Sequence, residues 1–538
     1  MTHGPGTGTP RAASLLRERV FRALLPVQLA NAVAVWIHVV SVQWVLTERG
    51  ESASVISLAP AAMAVPFLVL SLPVGVVAGY ASRTRLMAWA TTLSTLAALA
   101  AVALTVTGAD GALPMILSVV LVGVALVVVG VSWQSLLPET VDRRMIPTAA
   151  LVDGAVFNLA RSVGPLLAGL GLGFFGAAWT FAVVAVLSIG CSLTLWVLER
   201  RTPDRTGPRR AIVPELSGAL RFVANSAWTT RLLFQLFLFG IPSSALWALI
   251  SLAVHDRLGM GSDGFGVIMA LIGAGAVVAV VGFGGLRRRL RVTVFAALGA
   301  FVYGVALAVL AVSTSSVVVS IAMLFAGAAW VSVQSTWMSM GHQFFPDWVR
   351  PRLIAVILLM FQGTQAVGSL LWGVVTDHVG LQAALLVAAA LMALSCVSLA
   401  VIGLGAETGI EPVLASGASG GPDGGAPGPV SVRYEYRVAE HRVPEFRLAM
   451  RALRRSRLRL GGRQWRLERS GSEPSLFIET YLVASGGEFE EQERGRLTVP
   501  ETRLRHRVAS LADEVSGPRV DGAVPSTRRA RRRAPRKT

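Results

Sequence analysis

Hydrophobic residues come along this chain in long uninterrupted blocks. The first runs from about Phe21 to Leu46, and others follow near 54–80, 86–106, 113–134, 148–174, 177–198, 231–254, 265–286, 293–312, 316–338, 352–376 and 381–404. Each approaches or exceeds the roughly 20 residues a helix needs to cross ~30 Å of hydrocarbon, where a helix satisfies its own backbone polar groups. The pattern predicts twelve membrane helices. The first block is too long for the h-region of a signal peptide, and no small-residue cleavage site follows it, so it is expected to be the first span.

The polar connections between blocks carry an orientation signal. One set holds Arg83 and Arg85, Arg143 and Arg144, the segment 199–231, Arg287 to Arg289 with Arg291, and Arg350 with Arg352; the opposite set holds only Arg49 and Arg257. The bias of arginine toward the inner side places the first set, and both termini, in the cytoplasm, with the chain in the plasma (inner) membrane. Residues 1–20 form a cytoplasmic N-terminus, 21–199 one six-helix bundle and 231–405 a second. In the linker 200–230, Ile212, Leu216, Leu220 and Val223 recur at helical spacing after a basic stretch, which predicts an amphipathic helix on the inner membrane surface.

Beyond residue 405 the pattern changes. Residues 406–429 include the string ASGASGGPDGGAPGP, a linker that cannot pack. Val430, Val432, Tyr434, Tyr436 and Val438 then alternate with polar residues, as in a half-buried strand. Pro444 opens a helix with an apolar stripe of Phe446, Met450 and Leu453, followed by strands at 463–469 and 475–484 and a helix at 500–513. A β-α-β-β-α order over 430–515 predicts a small α+β domain of the ferredoxin-like kind. The basic end, 516–538, is expected to be a disordered tail near anionic lipid heads. The fold class is thus an all-α membrane protein of two pseudo-symmetric six-helix bundles, with a small C-terminal α+β domain.

Composition narrows the function. Of 538 residues 53% are hydrophobic and 15% charged, against about 25% charged in soluble domains. That excludes a single soluble enzyme and a mainly disordered chain. The net charge of +18 lies in loops and tails around apolar spans, so lipid is the expected partner and nucleic acid is not. Cys191 and Cys396 both sit in apolar runs and offer neither a disulfide framework nor a metal site. No phosphate-binding GxxxxGK[ST] string and no metal-ligand spacing occur, so neither ATP drive nor a cofactor is expected. The Gly-rich stretch 261–275 starts a membrane span with no strand before it, and close helix packing accounts for it.

An internal repeat is visible. PETVDRRMI (138–146) resembles PDWVRPRLI (346–354) at an offset of 208, and Gly164, Gly169 and Gly176 align with Gly368, Gly373 and Gly380 at an offset of 204. The distance covers six helices, an even number, so the halves share one orientation, as in transporters with parallel repeats. Within it, Asn158 and Arg161 map onto Gln362 and Gln365. Arg161 lies about 21 Å along its helix from Pro147, near mid-bilayer, where a charge costs at least ~2.5 kcal/mol unless it faces water or a partner. It is expected to line a central cavity; a buried arginine tying helices together is the plainer alternative. Asp153, the one acid among the span interiors, is too far along the helix to pair with Arg161 directly. In the first span Gln28, Asn31, His38 and Ser41 form one polar stripe, which must face protein or water. His38 is a candidate proton carrier or an interhelical hydrogen bond.

WQSLLPETVDRRMIPTAALVDGAVFNLARSVGPLLAG (133–169), PDWVRPRLIAV (346–356) and GSLLWGVVTDHVG (368–380) resemble major facilitator superfamily transporters of the enterobactin-exporter-like branch, the transmembrane secretion effector type. The resemblance spans roughly residues 15–515. It implies a proton-driven exporter of a siderophore-like, antibiotic-like or drug-like small molecule. Gly164, Pro165 and Gly169 then correspond to the antiporter motif, and Arg83, Glu139, Arg144, Asp347 and Arg352 to gate residues. The chain departs from the family pattern at Gly79 and Val35, where acids are usual; proton coupling then falls on Asp153, His38 or Glu139, or is absent. The C-terminal domain resembles a monooxygenase-like fold, with Trp465, Glu479 and Thr480 fitting its pattern. Its only histidines, His441 and His506, offer little catalytic chemistry, which makes dimerisation or metabolite sensing the better expectation. A membrane-anchored sensor or enzyme acting through that domain is the alternative, though an anchor needs no duplicated halves.

Overall fold

The computed structural model describes residues 15, 18–78, 81–142, 145–200, 220–346, 349–404 and 428–521. Its long helices are α1 (Arg19–Glu48), α2 (Ala53–Val77), α3 (Arg83–Thr107), α4 (Ala112–Thr140), α5 (Ile146–Glu199), α6 (Ala227–Leu252), α7 (Ser262–Gly282), α8 (Val292–Val312), α9 (Ser316–Phe344), α10 (Arg350–Val379) and α11 (Leu381–Ile402). Among the described residues, eleven helices are long and apolar enough to cross a membrane. Their outward faces carry side chains such as Leu113, Phe174 and Val401, 70%, 74% and 79% exposed. Such a surface is costly in water and natural against acyl chains. The protein is a multi-pass membrane protein.

The longest of these stretches, Val152–Glu199, has 48 residues, about 72 Å of helix and more than twice the hydrocarbon thickness. It breaks at Gly176, with φ 78° and ψ 174°. Gly380, the residue the repeat aligns with Gly176, separates α10 from α11 with φ 83° and ψ 159°. A positive φ of this kind is open to glycine and strained for other residues. Both positions make a one-residue corner between two apolar arms.

Two compact units form: one from Met1–Ile212, Leu233–Met338 and Ile357–Leu404, the other from Val213–Leu232, Ser339–Val356 and Gly405–Thr538. In the first unit, Phe21, Leu24, Met87, Trp133, Cys191 and Leu195 belong to one buried cluster. The seam between α5 and α7 depends on residues without bulk. A Cβ on Gly169 would come within 2.1 Å of Gly266 Cα, and one on Gly273 within 2.4 Å of Ser162. Between α7 and α9, a Cβ on Gly275 would stand 1.8 Å from the Leu324 carbonyl oxygen. The Gly-rich stretch 261–275 is therefore a close-packing surface, as its position in a span predicts.

In the second unit, Trp228 packs edge-on against Phe344 and Phe345, with ring centroids 5.7 and 5.3 Å away. These rings, with Phe222, Leu460, Thr498 and Pro500, line a cleft of about 440 Å³, including its solvent-open part. In the expected linker 200–230 the described residues begin at 220, and Phe222 and Ser226 line this cleft. Within that stretch Leu220 is exposed, Val223 half-buried and Phe222 buried. Ile212 and Leu216 lie outside the described residues, as do 406–427 of the expected linker.

The C-terminal fold contains β1 (Val430–Arg437), α12 (Val443–Leu460), β2 (Arg463–Arg469), β3 (Leu476–Val483), α13 (Gly486–Gly495), α14 (Val499–Leu511) and β4 (Glu514–Asp521). The sheet order is β2-β3-β1-β4, with every pairing antiparallel. Phe446, Met450 and Leu453 are buried against it, as their spacing predicts. Two elements were not legible in the sequence. α13 is short and mostly polar, held at its start by Ser485, whose hydroxyl accepts from the Glu488 N–H. β4 crosses the expected domain end at 515 and the expected tail from 516. Its residues EVSGPRVD are mostly exposed, and an edge strand joins through backbone bonds without needing an apolar alternation.

The interior of this fold holds a buried ionic network. Glu479, on β3 and 0% exposed, accepts from Tyr436 Oη at 2.9 Å, Trp465 Nε1 at 2.8 Å and Arg457 Nε at 3.4 Å. The Arg457 guanidinium lies between the rings of Tyr434 and Tyr481, 4.7 and 4.9 Å from their centroids, and pairs with Glu493 at 3.3 Å. Burial works against the charge on Arg457, yet the surrounding Tyr481, Glu479, Tyr434 and Glu493 hold its pKa well above the usual value. Burial also works against the Glu493 carboxylate, but Arg505, hydrogen-bonded to it, and Arg457 keep it below the usual carboxylate range. Glu479→Leu is expected to cost about 3 kcal/mol or more, since it leaves buried donors and half of a buried ion pair unsatisfied; urea unfolding of a 428–521 fragment measures it. Because the folded pKa of Glu493 is depressed, its contribution is present above about pH 4.3 and is lost as pH falls through the folded value. The same fragment should lose stability on acidification, and Glu493→Gln should flatten that loss.

Candidate functional site

Arg161 sits on the first arm of α5 and is only 7% exposed. Its guanidinium lies flat over Trp330 of α9, 4.1 Å from the ring centroid. A cation over an indole face is stabilised by roughly 2 kcal/mol or more when both are desolvated, which offsets much of the cost of a mid-bilayer charge. The pair bridges the two repeat halves. Beside it is a cavity of about 280 Å³, including its open part, lined by Arg161, Trp247, Met269, Ile272, Gly273, Ala276, Gly327 and Trp330. Arg161 is thus among the residues lining a cavity where α5 meets α6, α7 and α9.

Aromatic rings extend the site sideways. Trp36 to Trp247, Trp247 to Trp330 and Trp330 to Phe361 stand 6.2, 5.7 and 5.5 Å apart, drawing α1, α6, α9 and α10 into one ladder. The indole N–H groups of Trp247 and Trp330 have no acceptor. The residues lining the cavity thus include one arginine, two tryptophans and apolar side chains, with no carboxylate among them.

The other expected site residues divide into three groups. Gln365, the repeat partner of Arg161, stays within its own half, its Nε2 donating to Ser243 Oγ at 3.2 Å and the Gly240 carbonyl at 3.4 Å on α6. Gln362 is half-buried one turn before it and Asn31 is buried on α1. Asp153 lies toward the start of α5, away from the cavity, accepting from Trp133 Nε1 at 2.7 Å and Gln134 Nε2 at 3.1 Å. His38 is fully buried inside the first half, with Nε2 2.9 Å from Ser118 Oγ and its ring 5.2 Å from Phe181. It is an interhelical contact away from the cavity.

Among the motif residues, Gly164 meets α1, where its Cβ would be 2.5 Å from Trp36 Cβ, and Gly169 meets Gly266. Pro165 lies between them within α5. Arg83 opens α3, and two residues later Arg85 pairs with Glu199 at 2.6 Å, joining α3 to the end of α5. Arg352 lies half-buried in the first turn of α10. Only the backbones of Glu139 and Asn158 are described, on α4 and α5; Gly79, Arg144 and Asp347 lie outside the described residues. Sequence reasoning missed Trp247 and Trp330. Their available signal was an indole N–H inside an apolar block, a group that needs a partner when buried.

A family described as "Transmembrane secretion effector" matches residues 11–530. The chain belongs to the transmembrane secretion effector family. Among known relatives, the multidrug efflux pump Tap of Mycobacterium tuberculosis is 25% identical over 363 residues, covering 65% of this chain and 85% of that protein. The staphyloferrin A transporter of Staphylococcus aureus is 22% identical over 360 residues, 64% of this chain and 87% of that one. Among solved structures, a mutant of the nucleoside transporter NupG aligns at TM-score 0.58 and 12% identity, covering 70% of this chain and 98% of that chain. A bacterial homologue of the human lysosomal transporter Spinster aligns at TM-score 0.54 and 12% identity, over 74% and 96%. The fold is of the major facilitator type and the protein is a transporter. In this transporter, Trp330→Phe keeps a π face under Arg161 and is expected to cost about 1 kcal/mol, whereas Trp330→Ala should cost about 3–5 kcal/mol. Thermal unfolding in detergent micelles checks the order.

Proposed function

We propose that the protein is a twelve-span secondary transporter that exports a small amphipathic molecule by alternating access, rocking about one cavity being the simplest use of two matched halves. The reading counts the two arms of α5 as separate spans. It places the arginine-rich ends and both termini in the cytoplasm of an inner (plasma) membrane, following the arginine bias. The observation that carries it is the Arg161 guanidinium over Trp330, which joins the halves beside a cavity rich in donors. Arg161 and the two indole N–H groups would recognise oxygen acceptors on the cargo, while Trp247, Trp330, Met269 and Ile272 receive its apolar body. Gln362, Gln365 and Asn31 would contribute polar surface to the same pathway.

Protons are the proposed counter-ion, with Asp153 as carrier. Its carboxylate is held by Trp133 and Gln134 and sits on the same helix as Arg161, so a change of its charge can be transmitted along α5. We read the C-terminal fold as a ferredoxin-like domain, a reading supported by its sheet order β2-β3-β1-β4. A membrane-anchored sensor or monooxygenase-like enzyme is less favoured. The Trp465 and Glu479 that suggested it bond to each other inside the network around Arg457.

Two xanthene dyes of opposite charge test the cargo reading. Cells expressing the protein should expel carboxyfluorescein faster than cationic rhodamine 123, and Arg161→Ala should lower fluorescein efflux at least tenfold at unchanged protein level. Equal efflux with and without the protein sinks the export reading for both dyes. Asp153→Asn should remove the response of efflux to an imposed pH gradient while leaving downhill exchange; a retained response excludes Asp153 as the carrier.

A further inference from the structure

We propose that Asp377 positions the outer gate of the transporter, holding the two halves together there through the N-terminus of α2. The inference rests on the alternating-access reading above. A helix leaves its first four amides without intrahelical partners. In α2 the Ala53 N–H donates to Asp377 Oδ1 at 2.8 Å and the Ser54 N–H to Asp377 Oδ2 at 3.1 Å, while the Val55 N–H donates to Ser52 Oγ at 3.4 Å. Two of those amides are therefore satisfied by a carboxylate from α10, in the other half of the molecule. The carboxylate also meets the positive end of the helix dipole.

The surroundings make this contact part of a closed seam. One turn before Asp377, a Cβ on Gly373 would stand 2.0 Å from Ser57 Oγ and 2.8 Å from Ser54 Cα, so α2 and α10 touch with no space between them. Toward the same end, Gln43 Nε2 donates to the Trp247 carbonyl at 2.9 Å and Thr47 Oγ1 to Ser251 Oγ at 2.9 Å, tying α1 to α6. This is the end that carries Arg49 and Arg257, the outer face in the orientation proposed above.

The repeat shows which part of the closure is particular to Asp377. The offset of 204 places Gly173 of α5 at the matching position. A Cβ there would lie 3.2 Å from Asp263 Cβ and 3.3 Å from Ser262 Oγ, at the start of α7. That helix has an acid of its own in the first turn, Asp263, and its N-cap Gly261 makes no side-chain cap. One seam thus closes by small-residue packing, and the other by small-residue packing with a charged cap added from across the interface. Asp377 is also solvent-exposed. Separating it from α2 strands no buried charge, which suits a contact that opens in every cycle.

The test needs no cargo. In a background with Cys191 and Cys396 replaced by Ser, Met269→Cys places one thiol on the cavity wall, and a membrane-impermeant maleimide is added outside intact cells. Asp377→Ala should raise the labelling rate about fivefold, Asp377→Asn about twofold because it keeps an acceptor and loses the charge, and Asp377→Glu should restore slow labelling. Labelling of the Ala variant at the parent rate, with equal protein in the membrane, overturns the proposal. If the Ala variant does not reach the membrane, parent-rate labelling of the Asn variant overturns it. A role confined to stability would lower protein level and leave the rate unchanged, which also overturns it. Arg161-dependent dye efflux, measured in the parent protein with Met269 in place, that persists beside unchanged labelling removes the gate assignment and keeps the export reading; absent efflux in that parent removes the export reading.

Discussion

A guanidinium with 93% of its surface buried among apolar helices must find its stabilisation in the groups packed around it. For Arg161 the central group is the face of Trp330, on the far side of the interface between the repeat halves. That contact makes demands on the rest of the membrane part. α5 and α9 must come within a few ångströms of a common plane, which requires α7 to be thin where it passes between or beside them. The glycines at 266, 273 and 275 supply that thinness toward α5 and α9. The rings of Trp36, Trp247 and Phe361 then complete the apolar surroundings, so that the charge, the donors and the cavity share one wall.

Charges in this chain are handled in two ways, according to whether the parts around them have to move. Inside the C-terminal fold, Arg457, Glu479 and Glu493 are enclosed with their partners, and separating any of them would leave a buried ion alone. Such a network favours one arrangement and resists change. Between the halves of the membrane part, the exposed carboxylate of Asp377 accepts from the Ala53 and Ser54 amides, a contact that parts in each cycle on the alternating-access reading proposed above. On the proposed alternating-access reading, the interface that moves relies on small residues and surface polar groups, and the C-terminal fold relies on buried ions.

Much of the membrane part was legible in the sequence because lipid imposes a simple length rule. Blocks of about 20 apolar residues mark spans whatever their neighbours do, and the alignment of Gly176 with Gly380 identified two corners whose positive φ only glycine tolerates well. The depth of Arg161 followed from counting residues from Pro147. By contrast, β4 and α13 escaped notice, since an exposed edge strand and a short capped helix carry no periodic apolar signal.

The sequence by itself determined that the chain carries many helices apolar enough to cross a membrane, that it contains an internal repeat, and that Arg161 would need a partner, because each of these follows from spacing along the chain. Which partner it meets was decided only by tertiary structure. His38 and Arg161 look alike in a linear reading, as lone polar groups in apolar blocks, yet one closes on Ser118 within its own half and the other crosses to Trp330. Trp247, Trp330 and Asp377 gained their significance in the same way. A helix fixes the face on which a side chain lies, but the group opposite that face comes from a segment up to about 300 residues away, placed there by the packing of every helix between them.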